Sequence, residues 1–123
     1  MKRILVVDDS VLIREVARVA LESAGHEVVA AESGERALAE AASERPDAIL
    51  LDVVMPDMDG PATLAALRDQ AHTADVPVVL VTGREEIGRD DDAHGLDVAG
   101  VIAKPFDAST LPGEVAGILG WDR

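Results

Sequence analysis

The chain has 123 residues, which is enough for one domain with its own hydrophobic core but not for two. Acidic residues outnumber basic ones by 24 to 11, so the net charge is −13. We therefore expect no binding to nucleic acid or to an anionic membrane, because both need a cationic protein surface. The absence of cysteine excludes disulfides and Cys-ligated zinc. Because the chain has one Phe, one Trp and no Tyr, its core must be aliphatic.

Five short aliphatic runs predict β-strands at residues 4–7, 27–31, 48–51, 78–81 and 101–103. Runs that are apolar on both faces are typical of strands buried on both sides, as in a parallel sheet. The first run is far too short for a signal peptide or a membrane span, so the expected location is the cytoplasm.

Amphipathic stretches between these runs predict helices over residues 11–24, 33–45 and 61–71, with Gly25 as a stop signal and Ser33 as a cap. Glycines weaken two further helical stretches, 83–95 and 107–120. Because Pro112 fits only near a helix start, the regular part of the last helix should begin late. Strands that alternate with helices indicate an α/β fold of one domain over residues 1–123, with a parallel sheet and helices on both faces.

Polar side chains follow four of the predicted strands. The residues after the first, third, fourth and fifth strands are Asp8 with Asp9, Asp52, Thr82 and Lys104. Each of them alone has a simpler explanation as a helix cap, a turn former, a strand-end residue or a surface lysine. In parallel sheets, however, functional groups gather at the carboxyl ends of the strands, and all five residues map to that edge.

The chemistry of this group is coherent. Clustered carboxylates repel one another, and a hard divalent cation removes the repulsion; Mg²⁺ prefers a few carboxylates together with water and phosphate oxygens. A carboxylate can accept a phosphoryl group to give an acyl phosphate, while a metal and a lysine neutralise the transferring charge. The glycine spacing at residues 83–88 is no P-loop, because Arg89 and Asp90 replace its Lys-Ser/Thr pair.

Four segments resemble the receiver domains of bacterial two-component response regulators: residues 6–10 (VVDDS), 51–60 (LDVVMPDMDG), 81–83 (VTG) and 104–106 (KPF). The resemblance covers the whole chain and is to receiver domains of the single-domain, chemotaxis-regulator-like type. It implies a flavodoxin-like (βα)5 fold. It also implies a phosphoprotein that receives its phosphoryl group from a sensor histidine kinase or a histidine phosphotransfer protein.

Carried over position by position, the resemblance assigns roles to the polar residues. It implies that Asp52 is the phosphoacceptor, that Lys104 binds the phosphoryl group and that the Thr82 hydroxyl senses it. The implied Mg²⁺ ligands are Asp9, Asp52 and the Val54 carbonyl, with Asp8 acting through water.

The resemblance further implies a signalling protein that is no enzyme beyond catalysing its own phosphorylation and slow aspartyl-phosphate hydrolysis. It would signal to a downstream target through protein contacts or onward phosphotransfer, as a monomer or weak dimer. One position departs from the family pattern: Val101 stands where Tyr or Phe is frequent. We therefore expect Thr82 and segment 83–95 to carry the signal without a moving ring.

Two other functions stay open. A Mg²⁺-dependent phosphohydrolase of the haloacid dehalogenase type would need a second acid two residues after its nucleophile, where Val54 stands. An interaction module that no longer takes phosphate would not need the complete set of acids, hydroxyl and lysine.

Trp121 and the histidines fall outside these motifs. Trp121 is expected to be a packing residue or a partly exposed aromatic of the tail. His26, His72 and His94 share no metal-ligand spacing, so each is expected to lie at the surface.

Overall fold

The computed structural model describes residues 2–52, 60–82, 98–103 and 106–121. Within these ranges the chain forms five strands and four helices. In chain order they are β1 (Arg3–Val7), α1 (Val11–Ser23), β2 (Glu27–Ala31), α2 (Gly34–Ser43), β3 (Ala48–Asp52), α3 (Gly60–Asp69), β4 (Val78–Thr82), β5 (Gly100–Ala103) and α4 (Leu111–Leu119).

The five strands form one parallel sheet in the order β2-β1-β3-β4-β5. All five predicted strands are confirmed, with ends shifted by no more than one residue. The order reverses between β1 and β3, because the chain first adds β2 on one side of β1 and then continues on the other. This reversal is the feature that places functional crevices in open α/β sheets.

Successive strand residues point to opposite faces of the sheet, and each face carries its own core. One core packs the sheet against α2 and α3, and its buried strand residues are Leu5, Val7, Ala31, Ile49, Leu51, Val78 and Leu80. The other packs it against α1 and α4, and its strand residues are Ile4, Val6, Leu50, Val79, Val81 and Ile102. The buried apolar residues of the described chain are all Ala, Val, Leu or Ile, which confirms the aliphatic core and the helices on both faces.

Side-chain caps fix the starts of the first two helices. The Ser10 hydroxyl accepts a hydrogen bond from the Ile13 amide at the start of α1, and Ser33 accepts from the Arg36 amide at the start of α2. α1 ends before Gly25, whose φ of 97° is the left-handed conformation that glycine adopts without strain. The predicted cap at Ser33 and the stop at Gly25 are therefore confirmed.

The last helix begins at Leu111, four residues after the predicted start. The intervening residues form a turn in which the Asp107 carbonyl accepts from the amides of Thr110 and Leu111. Pro112 then lies in the first helical turn, where its missing amide costs no hydrogen bond. The helix predicted over residues 83–95 lies outside the described residues. No helix in the described ranges combines the length and the apolar character that crossing a bilayer requires.

Candidate metal centre

Three carboxylates meet at the carboxyl edge of the two central strands. β1 and β3 are neighbours with Val7 opposite Leu51, so the next residues, Asp8 and Asp52, are adjacent across the strands. Asp9 follows directly. One carboxylate oxygen from each of the three acids lies within 4.8 Å of the other two. The structure thus brings together the acid pair and the single acid that the sequence placed at this edge.

The burial of these acids indicates what the cluster needs. Asp8 is only 2% exposed and Asp52 only 5% exposed, whereas Asp9 faces solvent. Grouped carboxylates with so little access to water are costly unless a cation compensates their charge. An all-oxygen set with one side open to solvent suits Mg²⁺, which keeps water and substrate oxygens among its ligands. The residues present therefore fit the predicted metal.

Neighbouring elements hold Asp8 in place. Its Oδ1 accepts a hydrogen bond from the Ser10 amide at 2.9 Å, and its own amide donates to the Ala31 carbonyl of β2 at 3.1 Å. Arg14, one turn into α1, donates from Nη1 to the Asp8 carbonyl at 2.8 Å. The cap of α1 is thus Ser10, and neither acid performs that role.

Ser10 and Arg14 are supporting residues that the sequence reasoning missed. A serine directly before an amphipathic stretch is a recognisable cap signal and would have identified Ser10. Arg14 carries no comparable signal, because its contact depends on how the turn after β1 folds.

The remaining predicted site residues are only partly described. Thr82 ends β4, one position beyond the residue paired with Asp52, and its backbone pairs with Ala103 of β5. Its side chain is not described. Lys104 comes directly after Ala103 in the sequence, and both Lys104 and Val54 lie outside the described residues.

An apolar surface on α1 adjoins the acids. Val11 and Leu12 are 65% and 70% exposed and start the helix two residues after Asp9. Further along, a shallow depression of about 320 Å³ is lined by Glu15, Val16, Val19 and Ala108. Contiguous apolar surface of this kind marks contact sites more often than single exposed residues do.

A second groove lies at the far edge of the sheet, between β5 and α4. It has a volume of about 360 Å³, and Val101 and Ile118 line it together with the glycines Gly113 and Gly117. Val101, which stands where an aromatic ring was expected from the family pattern, is 37% exposed. Its side chain is therefore available to a partner at this edge.

Comparison with known proteins identifies the same family as the motifs. The sequence matches the family described as the response regulator receiver domain over residues 4–116. Protein PilH of Pseudomonas aeruginosa is 35% identical over 121 residues, which cover 97% of this chain and 98% of that protein. The CheY4 chemotaxis response regulator of Vibrio cholerae superposes with a TM-score of 0.88 at 33% identity, covering 96% of this chain and 98% of that one.

Other relatives are longer proteins. The phosphate regulon transcriptional regulatory protein PhoB of Pseudomonas aeruginosa is 37% identical over 120 residues, which cover 96% of this chain but 52% of PhoB. The chain thus spans about half the length of the transcriptional regulators that it matches, and nearly the full length of PilH.

Proposed function

Because this chain belongs to the family of response regulator receiver domains, we propose that Asp52 is the aspartate that takes its phosphoryl group. Receiver domains act in two-component signalling and are phosphorylated on an aspartate. The observation that carries the proposal is the position of Asp52, buried at the end of a central strand with two further carboxylates within 4.8 Å. Residues 1–123 would form one such domain.

The acid cluster would hold Mg²⁺, with Asp9, Asp52 and the Val54 carbonyl as ligands and Asp8 acting through water. When bound, the ion supplies positive charge that offsets the carboxylates and the transferring phosphoryl group. The hydrogen bonds from Ser10 and Arg14 keep Asp8 in place before the ion arrives, so that little reorganisation is needed on binding.

In the transfer step an Asp52 carboxylate oxygen forms a bond to phosphorus. The bond between phosphorus and the donor imidazole nitrogen breaks, and that nitrogen keeps the electron pair. Lys104 would pair with a phosphoryl oxygen, and the Thr82 hydroxyl would donate a hydrogen bond to another. The same site would hydrolyse the acyl phosphate slowly, and this self-directed chemistry is the extent of the catalysis that we propose.

The donor, a sensor histidine kinase or histidine phosphotransfer protein, would dock on α1. Val11 and Leu12 expose apolar surface close to Asp9, and Val19 continues it along the helix. With a net charge of −13, the chain favours a partner whose contact surface is basic at its rim.

The signal would leave through the groove between β5 and α4. Val101 offers a fixed aliphatic contact there, so we propose that Thr82 and segment 83–95, rather than a ring at position 101, report phosphorylation to a downstream target. We propose a cytoplasmic protein that acts as a monomer or weak dimer.

Intact-mass measurement after incubation with a small-molecule phosphodonor tests the assignment of Asp52. The wild type should gain one phosphoryl group only with Mg²⁺, and Asp52→Ala should gain none. Asp75→Ala, which removes an exposed aspartate outside the cluster, should behave like the wild type. An adduct that persists in Asp52→Ala would place the acceptor elsewhere, and no adduct despite bound Mg²⁺ would favour a phosphate-independent interaction module.

Docking on α1 can be tested separately. Leu12→Ser removes an exposed apolar side chain, so the fold and the labelling by a small donor should be unchanged, while transfer from the phosphorylated kinase should slow. Equal transfer rates for Leu12→Ser and wild type would exclude this surface from donor recognition.

A further inference from the structure

Three side chains from distant parts of the sequence meet at the end of the sheet opposite the acids. The Lys2 ammonium lies 5.4 Å from the centre of the Trp121 ring, and the His26 ring lies 5.6 Å from it at an angle of 50°. Lys2 precedes β1, His26 precedes β2 and Trp121 follows α4. The contact therefore joins the beginning of the described chain to its end.

The backbone brings Trp121 back onto the protein. Gly120 ends α4 with a φ of 72°, and the Trp121 amide donates to the Ala116 carbonyl at 2.9 Å. The ring is half-buried and packs against the core that α1 and α4 share. Since α4 contains two internal glycines, Gly113 and Gly117, its own helix propensity is low. The Trp121 contact thus holds the end of an intrinsically weak helix.

The hydrogen bonding fixes the protonation state of His26. Its Nδ1 accepts from the Lys2 backbone amide at 3.3 Å, so this nitrogen carries no proton. Burial, the N-terminal ammonium and the Lys2 side chain lower the pKa of His26 below its usual 6.5. The folded protein therefore favours the neutral imidazole.

The acidic residues nearest to His26 along the chain do not offset this preference. Glu22 at the end of α1 pairs with Arg18 at 3.0 Å, and Glu27 at the start of β2 pairs with Arg3 at 3.2 Å. Both carboxylates are thus engaged by arginines. On the C-terminal side, Asp122 and Arg123 lie outside the described residues.

We propose that His26 is a pH-sensitive latch whose protonation releases Trp121 and the end of α4 from the sheet. A proton taken up from solvent on Nδ1 turns that nitrogen into a donor, which faces the Lys2 amide, itself a donor. The new imidazolium also repels the Lys2 ammonium, so the two cations can no longer both lie beside the Trp121 ring. All three contacts of the cluster change with one proton.

The pH window follows from the direction of the shift. Because the pKa of His26 is lower in the folded protein than in the unfolded chain, the latch contributes its full stability above pH 6.5. That contribution is lost as the pH falls through the folded-state value. Mild acidification would then loosen α4 and with it the groove at β5, whether or not the aspartate is phosphorylated.

Trp121 provides its own reporter, because the chain has one Trp and no Tyr. Fluorescence of the full chain, measured from pH 8 to pH 5, should show a red-shifted emission maximum and increased acrylamide quenching, with a midpoint below 6.5. In His26→Asn, whose Oδ1 can accept from the Lys2 amide but does not titrate in this range, the transition should vanish. His72→Asn, a change at an exposed histidine elsewhere, should keep it.

A second measurement is independent of these substitutions. In the wild type, the ring resonances of His26 should titrate with a midpoint below 6.5, and Lys2→Met should raise that midpoint. An intensity change without a change in acrylamide access would mean protonation without release and would overturn the latch. A transition that persists in His26→Asn, or a His26 midpoint at or above 6.5, would overturn it as well.

Discussion

Gly100 in β5 and Ile118 in α4 approach each other so closely that a β-carbon added at Gly100 would lie 2.8 Å from the Ile118 Cγ2. Ile118 is β-branched and stiff at its first torsion, so it cannot turn aside cheaply. We expect Gly100→Ala to destabilise the protein by about 1–3 kcal/mol, because either strand or helix must shift. Urea unfolding of the two proteins measures this difference.

Gly113→Ala is the matched control for that substitution. A β-carbon at Gly113 meets nothing within 4 Å, and the residue lies inside α4. This change should raise the free energy of unfolding by about 0.5–1 kcal/mol through helix propensity. If Gly100→Ala and Gly113→Ala changed the free energy of unfolding by the same amount, the close approach of Gly100 to Ile118 would not be what destabilises Gly100→Ala.

Two buried threonines should respond in opposite directions to the same substitution. The Thr63 hydroxyl has no hydrogen-bond partner in the described part of the chain, whereas the Thr73 hydroxyl donates to the Leu67 carbonyl at 2.5 Å. Thr63→Val should stabilise the protein by about 1 kcal/mol, because an unpaired buried hydroxyl is removed. Thr73→Val should destabilise it by about 1 kcal/mol, because a hydrogen bond is lost. Thermal unfolding measures the stability of each variant. If Thr63→Val and Thr73→Val shifted the stability in the same direction, the difference in hydrogen bonding between the two hydroxyls would be wrong.

Mg²⁺ should reverse the stability order of wild type and Asp9→Asn. Without the metal, removing one charge from the cluster relieves repulsion, so the variant should be more stable by about 1 kcal/mol, the size of one close charge pair in water. At a Mg²⁺ concentration of one hundred times Kd, the wild type should gain about 2.7 kcal/mol. Urea unfolding in chelator and in Mg²⁺ measures both effects.

Asp75→Asn serves as the control for this experiment, because Asp75 is exposed and outside the cluster. It should show the same Mg²⁺ response as the wild type. An Asp9→Asn protein stabilised by Mg²⁺ as strongly as the wild type would remove Asp9 from the ligand set.

The start of α4 should depend on pH through Asp107. Hydrogen bonds from the Ser109 amide and hydroxyl to Oδ1 lower the pKa of the Asp107 carboxyl below its usual 3.8. The folded-state value is the lower one, so these bonds stabilise the turn above pH 3.8, and the stabilisation is lost as the pH falls through the folded-state value. The protection factor of the Leu111 amide, which corrects its exchange rate for the intrinsic pH dependence of amide exchange, should therefore fall with acid in the wild type.

In Asp107→Asn the same amide should show a weaker acid response, because the amide oxygen still accepts but has no proton to gain. Subtracting the variant profile from the wild-type profile removes the titration of the other carboxyls. Identical profiles would mean that the Asp107 charge does not support the turn.

Local patterns predicted the sheet and most helix ends. Strands buried on both faces are continuous apolar runs, and the caps at Ser33 and Gly25 depend on neighbours within three or four residues. The acid cluster was predictable for a similar reason. Once the strands are parallel, Asp8 and Asp52 must fall on the same edge of the sheet.

Contacts between residues that are far apart in the sequence leave no comparable pattern in it. The approach of Gly100 to Ile118 depends on how deeply α4 sits on β5, and the meeting of Lys2, His26 and Trp121 depends on the path of both chain ends. Trp121 was expected to pack or to lie partly exposed, and it does both. Its specific neighbours follow only from the tertiary structure.

The strand order places the acid cluster on interior strands and the groove beside α4 on an edge strand. β1 and β3 are interior strands, each hydrogen-bonded on both sides, so moving apart the acids at their ends requires breaking two ladders at once. β5 lies at the edge of the described sheet and carries Val101 into the groove beside α4. Under the proposed function, mutations along that edge would change which protein binds the groove while the acids stay in place. On that proposal, gene duplication would give two proteins that keep the same phosphoryl-transfer site but bind different target proteins.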